Sequence, residues 1–200
     1  MAGAVSAATQ EEEEGAAAVN NLAGSSLEAE WQALRKLWAE PAGELPPQVR
    51  WWKEDGFLIW EMTMELPWAG RGEFESGGFV EGLWNRDVAE FFIMDRRSGA
   101  YQEFNLGPGG AWWSARLVAP RVRAVPQPDW TQLGVQTEVT WTPTHWTGQM
   151  RLRLPDCREP AVNFCAIRRG PGSAAYYSLA GLGGAKPDFH RPQEWITWPI

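Results

Sequence analysis

Three polar side chains in the segment Ala100–Leu106 are the first candidates for chemistry. Tyr101, Glu103 and Asn105 recur at every second position. Because successive side chains of a strand point to opposite faces, we expect these three to share one face. A ring, a carboxylate and an amide together are typical of a site for a polar ligand. The sequence carries no nucleophile elbow, phosphate loop or His-Glu-x-x-His motif, so catalysis by those routes is not indicated.

Aromatic and charged residues flank this segment on both sides. Carbohydrate recognition needs flat rings for the C–H faces of a sugar, and charged or amide groups for its hydroxyls. Taken one at a time, Trp84 and one of Trp112 or Trp113 are explained at least as well as buried core residues as they are as ligand contacts. Together the set favours a ligand site, because buried glutamates would need partners, and Arg86 could supply one. The contacts predicted in this region are Trp84, Arg86, Glu90, Tyr101, Glu103, Asn105 and Trp112.

A second polar cluster lies near the carboxy terminus, in the segment Lys186–His190. We predict Lys186 and His190 as further ligand contacts. Asp188 is expected to cap the turn after Pro187. A loop of this kind, carried by a rigid scaffold, is a common position for binding residues.

The elements that must position these residues are mostly strands. We expect a strand at Leu83–Met94, a turn at Arg96–Gly99 in which Gly99 adopts positive φ, and a returning strand at Ala100–Leu106. Further strand patterns cover Phe57–Leu66, Ala115–Val125, Thr137–Trp141, Thr147–Leu154, Pro160–Arg169 and Ala174–Leu179. Short strands separated by turn signals predict an all-β fold, a β-sandwich.

The amino-terminal quarter has a different composition. Residues 1–24 are rich in Ala, Gly and Glu, which predicts a disordered tail. Leu27, Trp31, Leu34 and Trp38 recur at helical spacing after two serines, which predicts one short amphipathic helix over Leu27–Ala39. We therefore divide the chain into a tail (1–24), a helix with its linker (25–47) and a β-sandwich binding domain (48–200).

Composition limits the classes of partner. A net charge of −7 argues against a nucleic acid, because proteins that bind phosphate backbones concentrate Lys and Arg. No segment is apolar for long enough to span a membrane, and the first fifteen residues lack the pattern of a secretory signal, so a cytoplasmic location is expected. Cys165 lies in an apolar run and is predicted to be a buried free thiol.

Two groups of motifs resemble a known family. The first comprises Gly82-Leu83-Trp84, Asp87–Phe92 and Tyr101–Gly110. It resembles the central motif of DOMON-like proteins, which are relatives of the family 9 carbohydrate-binding modules. Asn163-Phe164, Tyr176–Leu179 and Lys186–Pro192 are similar to the closing motif of small bacterial members. The resemblance implies a jelly-roll or immunoglobulin-like sandwich and non-catalytic binding of a carbohydrate or similar small polar ligand.

The same resemblance leaves two other functions open. Some DOMON relatives bind haem, for which methionine, histidine and lysine are candidate axial ligands, although no pair here has a diagnostic spacing. The candidates are Met62, Met64, Met94, Met150, His145, Lys186 and His190. Structural calcium, with Asp87 or Asp95 as a ligand, is the other cofactor considered; we expect none. A divergent glycoside-active enzyme, using Glu90 and Glu103, ranks third.

Overall fold

Two antiparallel sheets form the architecture of the computed structural model. The structure describes residues 29–38, 45–65, 74–154, 156–170 and 173–198. The strands in those ranges, numbered β1 to β13 in chain order, are Gln32–Ala33, Arg35–Trp38, Gln48–Glu54, Phe57–Glu65, Val88–Asp95, Tyr101–Leu106, Trp112–Ala119, Val122–Arg123, Gln136–Trp141, His145–Leu152, Pro160–Gly170, Ser173–Ser178 and Ile196–Thr197. The predicted all-β sandwich is confirmed.

The smaller sheet has the strand order β1-β3-β4-β10-β9, and the larger sheet has the order β2-β12-β11-β5-β6-β7-β8, with β13 paired to β11. The turn between β5 and β6 is where the sequence predicted it. The N–H of Gly99 donates to the carbonyl oxygen of Asp95 at 2.8 Å, and Gly99 has a φ of 70°. This hairpin places the middle of β5 beside the middle of β6, with Glu90 opposite Asn105.

The main core lies between the two sheets. Phe91 of β5 and Phe164 of β11 stack with their ring centroids 4.8 Å apart, and Trp60 of the smaller sheet packs against both. The ring of Trp146 folds over Gly148, two residues along the same strand, and any Cβ at Gly148 would overlap it. The strands that carry the polar residues are therefore fixed from their inner side by close packing.

The predicted helix over Leu27–Ala39 is wrong in its described part. Gln32–Ala33 and Arg35–Trp38 are strands, of which the first pairs with β3 and the second with β12. Leu34, between them, is buried at the point where the chain passes from one sheet to the other, and its N–H donates to the carbonyl of Pro47. Pairing with two sheets therefore overrides the local helical spacing. The predicted tail at residues 1–24 lies outside the described residues.

The segment before β5 also differs from the sequence prediction. Leu83–Met94 was expected to be one strand, but Leu83–Asn85 forms a short 3-10 helix and β5 starts at Val88. Gly82 starts this turn with a φ of 88°, and Asp87 accepts a hydrogen bond from the N–H of Arg169. Trp84 is thus carried by this turn and not by β5, and its ring contacts that of Trp113.

Candidate functional site

The outer face of the larger sheet carries a row of polar side chains among apolar ones. On β5 and β6 the inner-facing residues, such as Phe91 and Phe104, belong to the core between the sheets. The alternate residues Phe92 and Tyr101 belong to a second apolar cluster on the outer face. Glu90 and Glu103 follow the same alternation as these two, so both carboxylates lie on the outer face.

A cavity of about 330 Å³ opens on this face. Its floor is the sheet, and its walls are the 3-10 turn of Trp84, the turn between β7 and β8, and the carboxy-terminal loop. The residues that line it are Trp84, Glu90, Glu103, Trp113, Leu117, Arg121, Arg123, Ile167, Tyr176, Pro187, Asp188, Phe189 and His190. Aromatic rings and titratable side chains thus meet in one open cavity, which is the usual composition of a small-molecule site.

Two tryptophans form one wall of the cavity. The rings of Trp84 and Trp113 meet edge to face, with their centroids 4.6 Å apart. The guanidinium of Arg123 lies over both, 5.0 Å from the Trp113 centroid and 5.8 Å from the Trp84 centroid. Arg123 also forms an ion pair of 2.7 Å with Glu81. The arginine therefore holds the tryptophan pair from the solvent side, while its charge is met by Glu81.

The two glutamates are buried although they line the cavity. Glu90 is 2 % exposed and Glu103 is 5 % exposed. Burial, followed by the charge of Glu103, raises the pKa of Glu90 well above its ordinary value, and the charge of Arg169 acts in the opposite direction. Burial likewise raises the pKa of Glu103 to about 7, against the lowering effects of Asn105, Arg123 and Arg121. At neutral pH the protein therefore holds this pair partly protonated.

His190 and Tyr101 connect the carboxy-terminal loop to the sheet. The Tyr101 hydroxyl lies 2.7 Å from Nδ1 of His190, and it accepts a hydrogen bond of 3.3 Å from the backbone N–H of Arg121. Burial, helped by the charge of Arg121, lowers the pKa of His190 to about 4, so the imidazole is neutral at pH 7. Its Nε2 lies 3.8 Å from Oε2 of Glu103, too far for a hydrogen bond.

An ion pair closes the rim of the cavity. Arg121 occupies the turn between β7 and β8 with a φ of 62°, and it contacts Asp188 through two nitrogens at 2.8 and 3.3 Å. Asp188 also accepts a hydrogen bond of 3.0 Å from the N–H of His190, which is the local capping role that the sequence predicted. The loop that carries His190 is thus tied to the sheet by a bidentate contact.

The structure brings some predicted contacts together and separates others. Trp84, Glu90, Glu103 and His190 line the cavity, and Tyr101 supports His190 from behind. Besides Tyr101, the predicted contacts that do not line it are Arg86, Asn105, Trp112 and Lys186. Each of these four has a different environment.

Trp112 points to the opposite side of its strand from Trp113. It belongs to the core between the sheets, and its Nε1–H donates to the carbonyl of Gly77 at 3.0 Å. Asn105 is fully buried beside Trp113, and neither polar atom of its side chain has a partner of good hydrogen-bond geometry among the described residues. Arg86 is exposed with its guanidinium over Phe74, and Lys186 is exposed on the loop.

Sequence reasoning missed several residues of the cavity. Arg121, Arg123, Tyr176 and Phe189 line the cavity but were not among the contacts predicted from the sequence. The turn Gly107–Ala111 carried a usable signal, because its length fixes the pairing of Asn105 with Trp113 and therefore selects Trp113 over Trp112 for the outer face. The position of Tyr176 depends on a pairing distant in sequence and had no such local signal.

The side chains considered for a haem lie mostly in packed regions. Met62, Met64 and Met150 belong to the core between the sheets, and Met94 belongs to the apolar cluster of the outer face. His145 contacts the neighbouring Thr144 hydroxyl. The cavity lining includes His190 but no methionine among the residues that the structure covers, so a Met–His pair does not fit this cavity.

Within the described ranges, no three His, Cys, Asp or Glu side chains form a group suited to a metal ion. The same ranges contain no helix that is long and apolar enough to cross a membrane. Cys165 is buried and unbonded to other cysteines, as predicted.

Comparison with known proteins relates the fold to carbohydrate-binding proteins. No family model matches the sequence, and no curated protein matches it. A putative carbohydrate-binding protein from Bacteroides uniformis has a similar structure, with a TM-score of 0.67 and 16 % identity over 85 % of each chain.

Two structures of family 9 carbohydrate-binding modules from Caldicellulosiruptor kristjanssonii are also similar. The one in complex with cellotriose has a TM-score of 0.52 and 10 % identity, over 76 % of this chain and 73 % of that chain. The one in complex with glucose has a TM-score of 0.51 and 11 % identity, over 80 % and 83 %. At these identities the likeness shows the β-sandwich fold.

Proposed function

We propose that this protein binds a saccharide non-catalytically in the cavity on the outer face of the larger sheet. One observation carries the proposal: the cavity joins the Trp84–Trp113 wall to two inward-facing carboxylates within about 330 Å³. Rings of this kind can cover the C–H face of a sugar, and carboxyl groups can bond its hydroxyls. The likeness in fold to proteins solved with cellotriose and glucose supports a ligand of the same kind.

The proposed roles follow from the geometry. Trp84 and Trp113 form the stacking wall, Glu90 and Glu103 bond hydroxyls from the floor, and His190 contacts the ligand from the loop. Tyr101 positions His190 through its hydroxyl. We do not carry Trp112, Asn105, Arg86 or Lys186 into the proposed contact set, and the relation to DOMON-like proteins remains a prediction.

Binding without hydrolysis is supported by the state of the carboxyl groups. Glycoside hydrolysis needs one carboxyl that is protonated and one that is ionised and serves as nucleophile or base. Here burial raises the pKa of both Glu90 and Glu103, and no cationic nitrogen of the described residues lies within salt-bridge distance of either one. Neither carboxyl therefore has a fixed Arg or Lys beside it, among the described residues, that would hold it ionised as the nucleophile or base of hydrolysis.

Titration calorimetry with glucose, cellobiose and a panel of other neutral sugars tests the proposal. We expect saturable binding by the wild type and a loss of at least tenfold in affinity for Trp84→Ala at unchanged fold. Glu138→Gln, an exposed change on β9 of the smaller sheet, is the control and should bind as the wild type does. Absence of binding across the whole panel at millimolar concentration would refute the proposal.

A further inference from the structure

The two carboxylates of the cavity have no counter-charge of their own. In the described part of the chain, no Arg or Lys nitrogen lies within 4 Å of Glu90 or Glu103, and the Asn105 amide, which lowers the pKa of Glu103 by hydrogen bonding, reaches that carboxyl only with poor geometry. Buried carboxylates are normally paired or hydrogen-bonded, because an isolated buried charge is costly. Two such groups facing one cavity leave a place for a cation that the protein does not supply.

The cationic side chains nearby are engaged elsewhere. Arg121 is paired with Asp188, and Arg123 is paired with Glu81. Arg169 donates from its guanidinium to the backbone carbonyl of Trp84 at 3.0 Å. All three act on the glutamates only from a distance.

His190 does not supply the missing charge either. Its imidazole is neutral at pH 7, because burial lowers its pKa to about 4. The Tyr101 hydroxyl beside Nδ1 can donate to that nitrogen, which leaves the remaining N–H on Nε2, 3.8 Å from Glu103. The histidine can therefore donate to a ligand oxygen, but it does not neutralise the carboxylates.

The walls of the cavity suit a cation attached to a ring. Trp84, Trp113, Tyr176 and Phe189 surround the carboxylates with aromatic surface. Aromatic faces attract cations and also cover the C–H faces of a sugar. A neutral sugar would use the rings but would leave the two carboxyl groups without a counter-charge and partly protonated, whereas a bound cation would allow both of them to ionise.

From this arrangement we propose that the preferred ligand is a saccharide with a free, protonated amino group, whose ammonium lies between Glu90 and Glu103. The inference rests on the proposed function and names the class of sugar. The ammonium donates to both carboxylates, the sugar ring lies against Trp84 and Trp113, and His190 contacts a hydroxyl. No other charged group need move, because Arg121 and Arg123 remain in their rim ion pairs.

The proposed ligand should release a proton when it binds, in addition to binding more tightly than a neutral sugar. The charge of Glu103 acts on Glu90, as does that of Arg169, and the charges of Arg121 and Arg123 act on Glu103. Asp188 and His190 of the loop line the same cavity, and Cys165 of β11 is influenced by both glutamates. Because the pair is partly protonated at pH 7, an ammonium ion that binds to it must displace a proton into solvent. A neutral sugar has no such requirement.

Calorimetry at pH 7 with glucosamine, glucose, N-acetylglucosamine and ethanolamine tests this. We expect glucosamine to bind about ten- to a hundredfold more tightly than glucose, the range that charged hydrogen bonds supply. N-acetylglucosamine, whose nitrogen carries no charge, should gain nothing from the carboxylates. Repeating the titrations in two buffers of different ionisation enthalpy should show proton release with glucosamine and none with glucose.

Isosteric variants test whether Glu90 and Glu103 cause the preference for glucosamine. Glu90→Gln and Glu103→Gln should each reduce the preference for glucosamine over glucose by about tenfold, while Glu138→Gln on the smaller sheet should keep it. If either buried variant fails to fold, the wild-type comparison of glucosamine with glucose and N-acetylglucosamine decides alone. Equal or tighter binding of glucose would overturn the amine preference and leave the proposed function intact. Binding of ethanolamine as tight as that of glucosamine, without binding of glucose, would overturn both.

Discussion

Trp84 belongs to the proposed ligand wall and Trp112 belongs to the core, so replacing each by alanine should have opposite effects on stability and on binding. Trp112 is 8 % exposed, packs in the core between the sheets, meets Phe79 edge to face at 4.9 Å and donates to the Gly77 carbonyl. Removing a ring of this kind typically costs about 3–5 kcal/mol of unfolding free energy. Trp84 is half-buried, with the Trp113 ring as its aromatic neighbour, so its loss should cost about 1–2 kcal/mol.

The assay combines guanidinium denaturation with sugar titration of the same two variants. Trp84→Ala should keep most of its stability and lose binding, whereas Trp112→Ala should lose stability and, where still folded, keep its affinity. The comparison is matched, because both changes remove one indole. Loss of binding by folded Trp112→Ala, with full binding retained by Trp84→Ala, would show that the ligand does not use the Trp84–Trp113 wall.

Three further changes test the surroundings of the cavity. Burial raises the pKa of Glu103 from 4.5 to about 7, so the folded state holds a proton that the unfolded state releases above about pH 4.5. Stability relative to Glu103→Gln, measured by thermal unfolding, should therefore fall as pH rises from about 4.5 to 7 and level off above; His190 is common to both proteins. Asp188→Asn should break the bidentate contact with Arg121 and weaken sugar binding several-fold, with little change in unfolding free energy because the Arg121 side chain is 60 % exposed. Unchanged affinity would mean that the loop keeps its position without this ion pair. Gly148→Ala should lower the unfolding free energy by about 1–3 kcal/mol, because the added methyl group would overlap the Trp146 ring and lie 2.9 Å from Leu106. A variant as stable as the wild type would contradict this close packing.

The sequence was sufficient for the fold class and for the face that Tyr101 and Glu103 share. Strand alternation depends only on the backbone, so the separation of Tyr101 and Glu103 from Phe104 followed from their positions alone. The turn at Gly99 was equally local. These features needed no knowledge of distant contacts.

What the sequence did not predict depends on contacts between distant segments. The helical spacing of Trp31, Leu34 and Trp38 was overridden because the chain there pairs with two different sheets. Arg121 and Asp188 are 67 residues apart, and their contact exists only once the carboxy-terminal loop folds back over the sheet.

The β5–β6 hairpin, which supplies the floor of the cavity and one side of the core, has a consequence for how specificity can change. Its inner face is close-packed through Phe91 and Phe104, so substitutions that shift its backbone would disturb the whole sandwich. The rim is different, because Arg121, Arg123 and Asp188 hold their positions through exposed ion pairs. A library of variants confined to the rim should therefore sample new ligand preferences at little loss of folded protein, whereas the same diversity placed on the floor would mostly yield chains that fail to fold.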